Sequence, residues 1–550
     1  MAITVPVGLE SFDEIITSRS YYVDKTELIY QLLQDAKNKV SLFTRPRRFG
    51  KTLTMSMIQS FFDITRDSRE VFKGLAVTAH EDFCKEHMNQ YPVVFITLKD
   101  AESIKFETAY AKLKTIIADV CKKHDFLGKS ENVNPADAEK FDRLMFETAE
   151  EQETQNALLL LCRMLHDHYD KPVILLIDEY DVPLAKARDY GFYPQMLNVI
   201  RGLLSTSLKT NDYLKLAVIT GCLRIAKESI FTGVNNFKSY SVVDEDFSQY
   251  FGFTEEEVNN LLVAAEEESY ADTIREWYDG YIFGNTPVYC PWDVVNFVAD
   301  ARGKGHFKPK NYWKNSSGNG IIREFAEDER FQVGDQFETL LNGGTITKTV
   351  SDELTYETLK LTEDNLWSVL VMTGYLTKAD TEQSGDTVAL KIPNREISVI
   401  FEETVMRLFA ETVDTEKVRS LTEALWNGNE QIATEIISDL LLDTISYHDY
   451  HEDYYHAFLA GIFVGRGYGV ESNKEKALGR PDIQMTDRPT RRAVIIEAKK
   501  SDSEGKMEHD CEEALKQIVD RQYAKGLKGY KQIRCYGVAF FEKSALVKML

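Results

Sequence analysis

Val40-Ser41-Leu42-Phe43-Thr44-Arg45-Pro46-Arg47-Arg48-Phe49-Gly50-Lys51-Thr52-Leu53 passes from a short apolar run through a basic turn into Gly-Lys-Thr. Val40 to Phe43 reads as a buried strand, and Lys51 to about Phe62 as a helix. Strand, loop and helix is the frame in which G-x-x-x-x-G-K-[ST] binds phosphate, because successive backbone N–H groups then point at one anion. Gly50, Lys51 and Thr52 are in register, but Arg45 stands where the first glycine belongs. Arg45, Arg47 and Arg48 are therefore candidate phosphate contacts, with Phe49, Gly50, Lys51 and Thr52 completing the loop.

Working outward, Pro92 to Leu98 is a second apolar strand, and Pro172 to Ile177 a third that runs into Asp178-Glu179-Tyr180-Asp181. Five consecutive apolar residues suit a strand covered on both faces, as in parallel sheets, whose C-terminal ends are where such sheets bind ligands. Asp178, with Thr52, is the expected Mg²⁺ holder and Glu179 the general base for an attacking water. A fourth strand, Leu214 to Gly221, ends at Thr220, a candidate sensor of the terminal phosphate, with Arg224 just beyond.

These segments, with Tyr22-Val23-Asp24-Lys25-Thr26 and Ser229-Ile230-Phe231, resemble the bacterial AAA-ATPase-like family. The resemblance covers essentially the whole chain. It implies a P-loop ATPase of the additional-strand, catalytic-glutamate type that uses ATP and Mg²⁺. It also implies that Arg-Pro-Arg-Arg-Phe-Gly-Lys-Thr is normal for the family, and that a PD-(D/E)XK nuclease-superfamily domain often follows.

The C-terminal segment supports that expectation on its own residues. Asp482 opens one strand, residues 487–491 turn, and Ala493 to Lys499 returns as a second strand carrying Glu497 and Lys499. Alternate strand residues share a face, so Glu497 and Lys499 project together and the hairpin brings Asp482 near Glu497. Two carboxylates and a lysine suit Mg²⁺-dependent phosphodiester cleavage. The D-x(14)-E-x-K pattern resembles the PD-(D/E)XK superfamily, which implies that Asp482 and Glu497 ligate metal and that Lys499 activates water and stabilises charge. Gln517, on a helix from about Glu508 to Tyr523, falls where that superfamily adds a polar site residue. Either Glu452 or Glu471 is open as the upstream acid.

Charge separates the two regions. The chain carries −23 in total, yet residues 466–550 hold 18 Lys and Arg against 13 Asp and Glu, so the remainder is −28. A nucleic-acid partner is thus expected at the C-terminal segment and not along the acidic body. Seven cysteines without a C-x-x-C pair argue against a zinc ribbon or a disulfide framework and for a reducing, cytoplasmic setting. No apolar run approaches the roughly 20 residues that a bilayer requires, so no membrane role is expected.

The expected class is multidomain α/β: a P-loop ATPase over 1–245, a helical lid or winged-helix-like region over 246–345, a mixed helical connector over 346–440, and a restriction-endonuclease-like domain over 441–550. His448, His451 and His456 do not share one helical face and read as a solvated helix. Gly465, Gly467 and Gly469 lack a strand-then-helix frame and read as a turn. The expected function is an ATP-hydrolysing switch joined to a nuclease, with homo-oligomer formation possible. The alternative is a signalling ATPase whose C-terminal domain binds nucleic acid or protein without cleaving it.

Overall fold

A computed structural model describes residues 3–34, 38–224, 231, 237–313, 334–341, 343–352, 354, 362–381, 387–401, 415–444, 455, 458–459, 462–463, 469–472, 481–487, 489–527 and 529–550. Ser229, Ile230, Glu452, the three histidines, Gly465 and Gly467 lie outside these. The chain forms two compact units, residues 1–317 with 345–397, and residues 318–344 with 398–550.

The first unit is organised on five parallel strands: β1 (Val40–Thr44), β2 (Val93–Thr97), β3 (Val173–Asp178), β4 (Leu214–Gly221) and β5 (Phe237–Tyr240), in the order β2-β3-β4-β1-β5. Every residue of β1 and β3 is buried, as expected for apolar strands covered by helices on both faces. The strand inserted between β1 and β3 is β4, the additional strand of the sequence-based expectation. All parallel strands present their C-terminal ends to one edge. Thr44, Asp178 and Gly221 therefore arrive together there, with Thr44 directly opposite Gly221.

The helix after β1 spans Lys51–Phe62, the range its pattern predicts. Residues 246–313 add helices Glu255–Ala265, Ala271–Tyr278 and Pro291–Ala301, which bury Val258, Leu261, Ile274, Val294 and Phe297 in a common core. The unit also holds a short hairpin, β6 (Tyr281–Phe283) and β7 (Thr286–Val288), and a three-stranded sheet of β8 (Ile346–Thr349), β9 (Thr377–Lys378) and β10 (Thr387–Lys391).

The second unit holds a mixed sheet, β11 (Gly469–Ser472), β12 (Ile483–Asp487), β13 (Arg492–Lys500), β14 (Gln532–Phe541) and β15 (Ser544–Met549), in that order. β12 and β13 form the expected antiparallel hairpin. β13 and β14 are parallel and joined through helix Met507–Asp520, whose Cys511, Leu515 and Ile518 are buried. Gly537 pairs with Glu497 across the β13–β14 ladder. A Cβ there would run into the Cys511 carbonyl, so the glycine lets the helix cross the sheet closely at the level of Glu497.

Candidate functional site

Three threonines converge on Asp178. Thr52 donates to Oδ2 at 2.9 Å, Thr220 to Oδ1 at 2.5 Å and Thr97 to Oδ2 at 3.4 Å. Thr97 and Thr220 are at the C-terminal ends of strands flanking β3, where the parallel register brings them to Asp178, and Thr52 comes from the first turn of the helix after β1. Asp178 is fully buried, and its carboxyl is held above the usual range by that burial, against the Thr220 and Thr52 hydroxyls that pull it down.

Glu179 takes a left-handed backbone, φ 53°, uncommon for a side chain of its kind. Its N–H donates to the Thr220 hydroxyl at 3.3 Å. Its Oε1 lies 3.3 Å from Lys51 Nζ, while Oε2 is buried with no hydrogen-bond partner. The Lys51 ammonium also reaches the Arg45 and Pro46 carbonyls at 3.1 and 3.2 Å and Cys222 Sγ at 3.8 Å. Burial works against that charge, but Cys222, Glu179, Asp181 and Asp178 hold it above its ordinary value.

Asp181, quoted in the sequence motif without a role, caps the turn after β4. Its Oδ2 accepts from Cys222 N at 2.9 Å and Leu223 N at 3.0 Å, and Oδ1 is unpartnered. Burial and then Glu179 push its carboxyl up. Gly221 makes this turn possible, since a Cβ would sit 2.6 Å from the Tyr180 ring and 2.8 Å from Asp181 Oδ1.

The three loop arginines separate. Arg45 is fully buried, donates to the Tyr240 carbonyl at 2.8 Å and lies under the rings of Phe251 and Phe283. Its side chain thus anchors the loop from below, which corrects the expectation that it touches phosphate. Phe49 is likewise buried, edge-on to Tyr281 at 5.1 Å, so only its backbone faces the loop. Arg224, just beyond Thr220 in sequence, pairs with Asp352 at 3.1 Å and is not among the residues lining the cleft. Arg47 and Arg48 do line the cleft, a cavity of about 600 Å³ whose wall includes Gly50, Lys51, Thr52, Glu179, Tyr22 and Trp292.

Behind Trp292 is a feature with no signal in the sequence. Asp293 and Glu396, 103 positions apart, are both fully buried and close enough for their charges to interact; Trp313 N donates to Glu396 Oε1 at 2.8 Å, while Glu396 Oε2 and both Asp293 carboxylate oxygens have no hydrogen-bond partner. Burial, then the Asp293 charge, drives Glu396 far above the carboxylate range. A folded-state value raised in this way gives stability that is full at acid pH and drains as pH climbs from the ordinary range towards the raised one. Glu396→Gln keeps an amide proton at every pH. Its free energy of unfolding in urea is therefore expected to gain on wild type steadily from pH 5 to 9, by at most about 1.4 kcal/mol per pH unit. Parallel curves would count against a raised Glu396 carboxyl.

In the second unit, Asp482 N donates to Glu497 Oε2 at 3.3 Å, and Asp482 Oδ2 accepts from Ala498 N at 2.8 Å. Gln517 donates to Glu497 Oε1 from the crossing helix. Glu497 is buried, and burial followed by the Asp482 charge pushes it up to about 8, against Lys499 and Arg521. Arg521, unmarked by sequence reasoning, follows Gln517 by one helical turn, carries a charge felt by both carboxylates and reaches the Tyr523 hydroxyl at 3.3 Å. Its i+4 spacing from Gln517 was the available signal. The oxygen-only pair Asp482 and Glu497 suits a hard divalent cation. Of the two candidate upstream acids, Glu471 is in β11. His509, Asp510 and Glu513, on the same helix, also lie close to one another, with His509 and Glu513 exposed.

Residues 6–231 match the family described as "Predicted AAA-ATPase", and residues 450–549 match the PD-(D/E)XK nuclease superfamily. An uncharacterized protein in the vnfD 5' region of Azotobacter chroococcum mcd 1 is 24% identical over 563 residues, covering 99% of this chain and 97% of its own length. Sheet order, the Lys51–Glu179 and Thr52–Asp178 contacts and the Asp482–Glu497 hairpin agree with those matches: the chain carries an AAA-ATPase-like domain followed by a C-terminal PD-(D/E)XK nuclease-superfamily domain.

Proposed function

We propose that the first unit binds and hydrolyses ATP in the cleft above residues 45–52, and that the second cleaves nucleic-acid phosphodiesters at Asp482, Glu497 and Lys499. The observation that carries the first half is the pair of contacts Lys51–Glu179, 3.3 Å, and Thr52–Asp178, 2.9 Å, on the rim of one cleft. Lys51 is held by two loop carbonyls and a carboxylate, and a phosphate chain is the ligand for which it exchanges them. Glu179 Oε2, buried and unpartnered, is the oxygen placed to take a proton from water. Thr220 fixes both Asp178 and the Glu179 N–H, so the acid and the base keep their separate orientations.

Thr52 and Asp178 in one site, and Asp482 and Glu497 in the other, are the residues that would hold Mg²⁺. When bound, the ion supplies charge neutralisation on phosphate oxygens. Around the second pair, Lys499 and Arg521 offset two carboxylates, which leaves room for a phosphodiester once a cation is added. All seven cysteines are free, in keeping with a cytoplasmic setting. Among the described residues no helix is long and apolar enough to cross a membrane.

The test is cleavage of single- and double-stranded DNA and RNA by the full chain with Mg²⁺ or Mn²⁺, with and without ATP, beside measured phosphate release. Metal-dependent cutting and ATP-dependent release are the expected results. No cutting of any substrate in either metal would leave the second unit as a binding module.

A further inference from the structure

We propose that Trp292 is a positioning residue of the cleft, acting through Arg48, whose guanidinium it holds ready for the phosphates of a bound nucleotide. The proposal rests on the reading of this cleft as the ATP site and adds a residue to it. Arg48 Cζ lies 3.9 Å from the centroid of the Trp292 indole, and both side chains line the cavity that contains Gly50, Lys51 and Thr52.

Each partner is fixed from its own side. Arg48 has a left-handed backbone, φ 73°, and its carbonyl accepts from Cys290 Sγ at 3.8 Å. Trp292 stands in the first turn of helix Pro291–Ala301, and its indole N–H donates to the Tyr312 carbonyl at 3.4 Å. The next residue, Asp293, is buried against Glu396, so the turn that bears the indole is tied into the unit's interior.

Stacking engages the flat face of a guanidinium and leaves its N–H edge for anions, and the planar fork of arginine matches phosphate oxygens in a way that a lysine does not. The loop has lost the first glycine of its pattern, and Arg45, which replaces it, spends its side chain on the Tyr240 carbonyl. Arg48 is thereby the loop arginine on the helix side of the cleft, and the indole, 244 residues away in sequence, decides where it points.

The experiment is a double-mutant cycle read by calorimetric binding of ATP and of adenosine to the full chain. Trp292→Leu is expected to weaken ATP binding by about 2- to 30-fold, the span of one partly desolvated cation–π contact, with adenosine unchanged. Trp292→Phe, which keeps an aromatic face, is expected to retain most of the affinity. In an Arg48→Ala background Trp292→Leu is expected to add nothing. Independent, additive losses overturn the proposal, as does an equal loss for adenosine and ATP, which would place the indole on the base. If Trp292→Leu fails to fold, Arg48→Lys tests the contact from its other side, and wild-type ATP affinity in that variant overturns it. Wild-type protein that binds no ATP defeats the reading of the cleft itself, a result visible before any variant is made.

Discussion

Glu179→Gln is expected to slow phosphate release by about 10²- to 10⁴-fold, the usual contribution of a positioned general base, while ATP stays bound at least as tightly as in wild type. The two effects separate because Glu179 does two things. Its Oε1 holds Lys51 at 3.3 Å, and a neutral amide in that place relaxes the grip, leaving the ammonium more available to phosphate. Its Oε2 is the buried, unpartnered oxygen, and an amide cannot take a proton there. Stability should change little, because the backbone N–H bond to Thr220 and the φ of 53° belong to the main chain. Single-turnover phosphate release and nucleotide titration on the same preparation check both halves. A variant that releases phosphate at the wild-type rate would move the base to Asp181, whose Oδ1 is the other unpartnered carboxylate oxygen at the end of the sheet.

Much of this site is legible in the sequence because its parts are local. Apolar runs before Thr44, Asp178 and Thr220 announce buried parallel strands, and a parallel register then brings their ends together without further information. The β12–β13 hairpin is legible for the same reason, since its turn is short and both strands are local in sequence, with Asp482 just before β12 and Glu497 within β13. What the sequence conceals is direction and distance. Arg45, Arg47 and Arg48 look alike in a row, yet Arg45 continues β1 inward to Tyr240, Phe251 and Phe283, contributed 195 to 238 residues later. Pro291-Trp292 reads as a helix start, but nothing in the sequence couples Trp292 to Arg48 or Asp293 to Glu396, far apart along the chain. Arg521 gives little signal in the sequence because a lone arginine at a helix end is ordinarily solvated, and the close crossing that Gly537 permits is what brings that end of the helix towards Glu497.

Lys499→Ala is expected to lower metal-dependent nucleic-acid cleavage by about 10²- to 10³-fold, the loss seen when one preorganised charge-stabilising donor is removed. Lys499 follows Glu497 by two positions on β13, so the two side chains project to the same face, and the ladder to Ala539 of β14 fixes that register. Asp482 lies beside Glu497 through its own N–H, which puts two carboxylates and this ammonium around one point. Removing the ammonium leaves both carboxylates in place and takes away one of the two cations, Lys499 and Arg521, whose charge Glu497 feels. Lys499→Arg should recover little, because a wide planar fork does not reproduce a compact point charge. Metal-free binding of nucleic acid should fall only by one phosphate contact, reducing the slope of log affinity against log salt by about 0.9. Lys499 is only partly buried at the end of its strand, so thermal unfolding should match wild type. A large drop in cleavage with a small drop in binding assigns the lysine to the chemical step. Cleavage within a few-fold of wild type would remove it from the site and leave Arg521, one helical turn beyond Gln517, as the cation that Asp482 and Glu497 already feel.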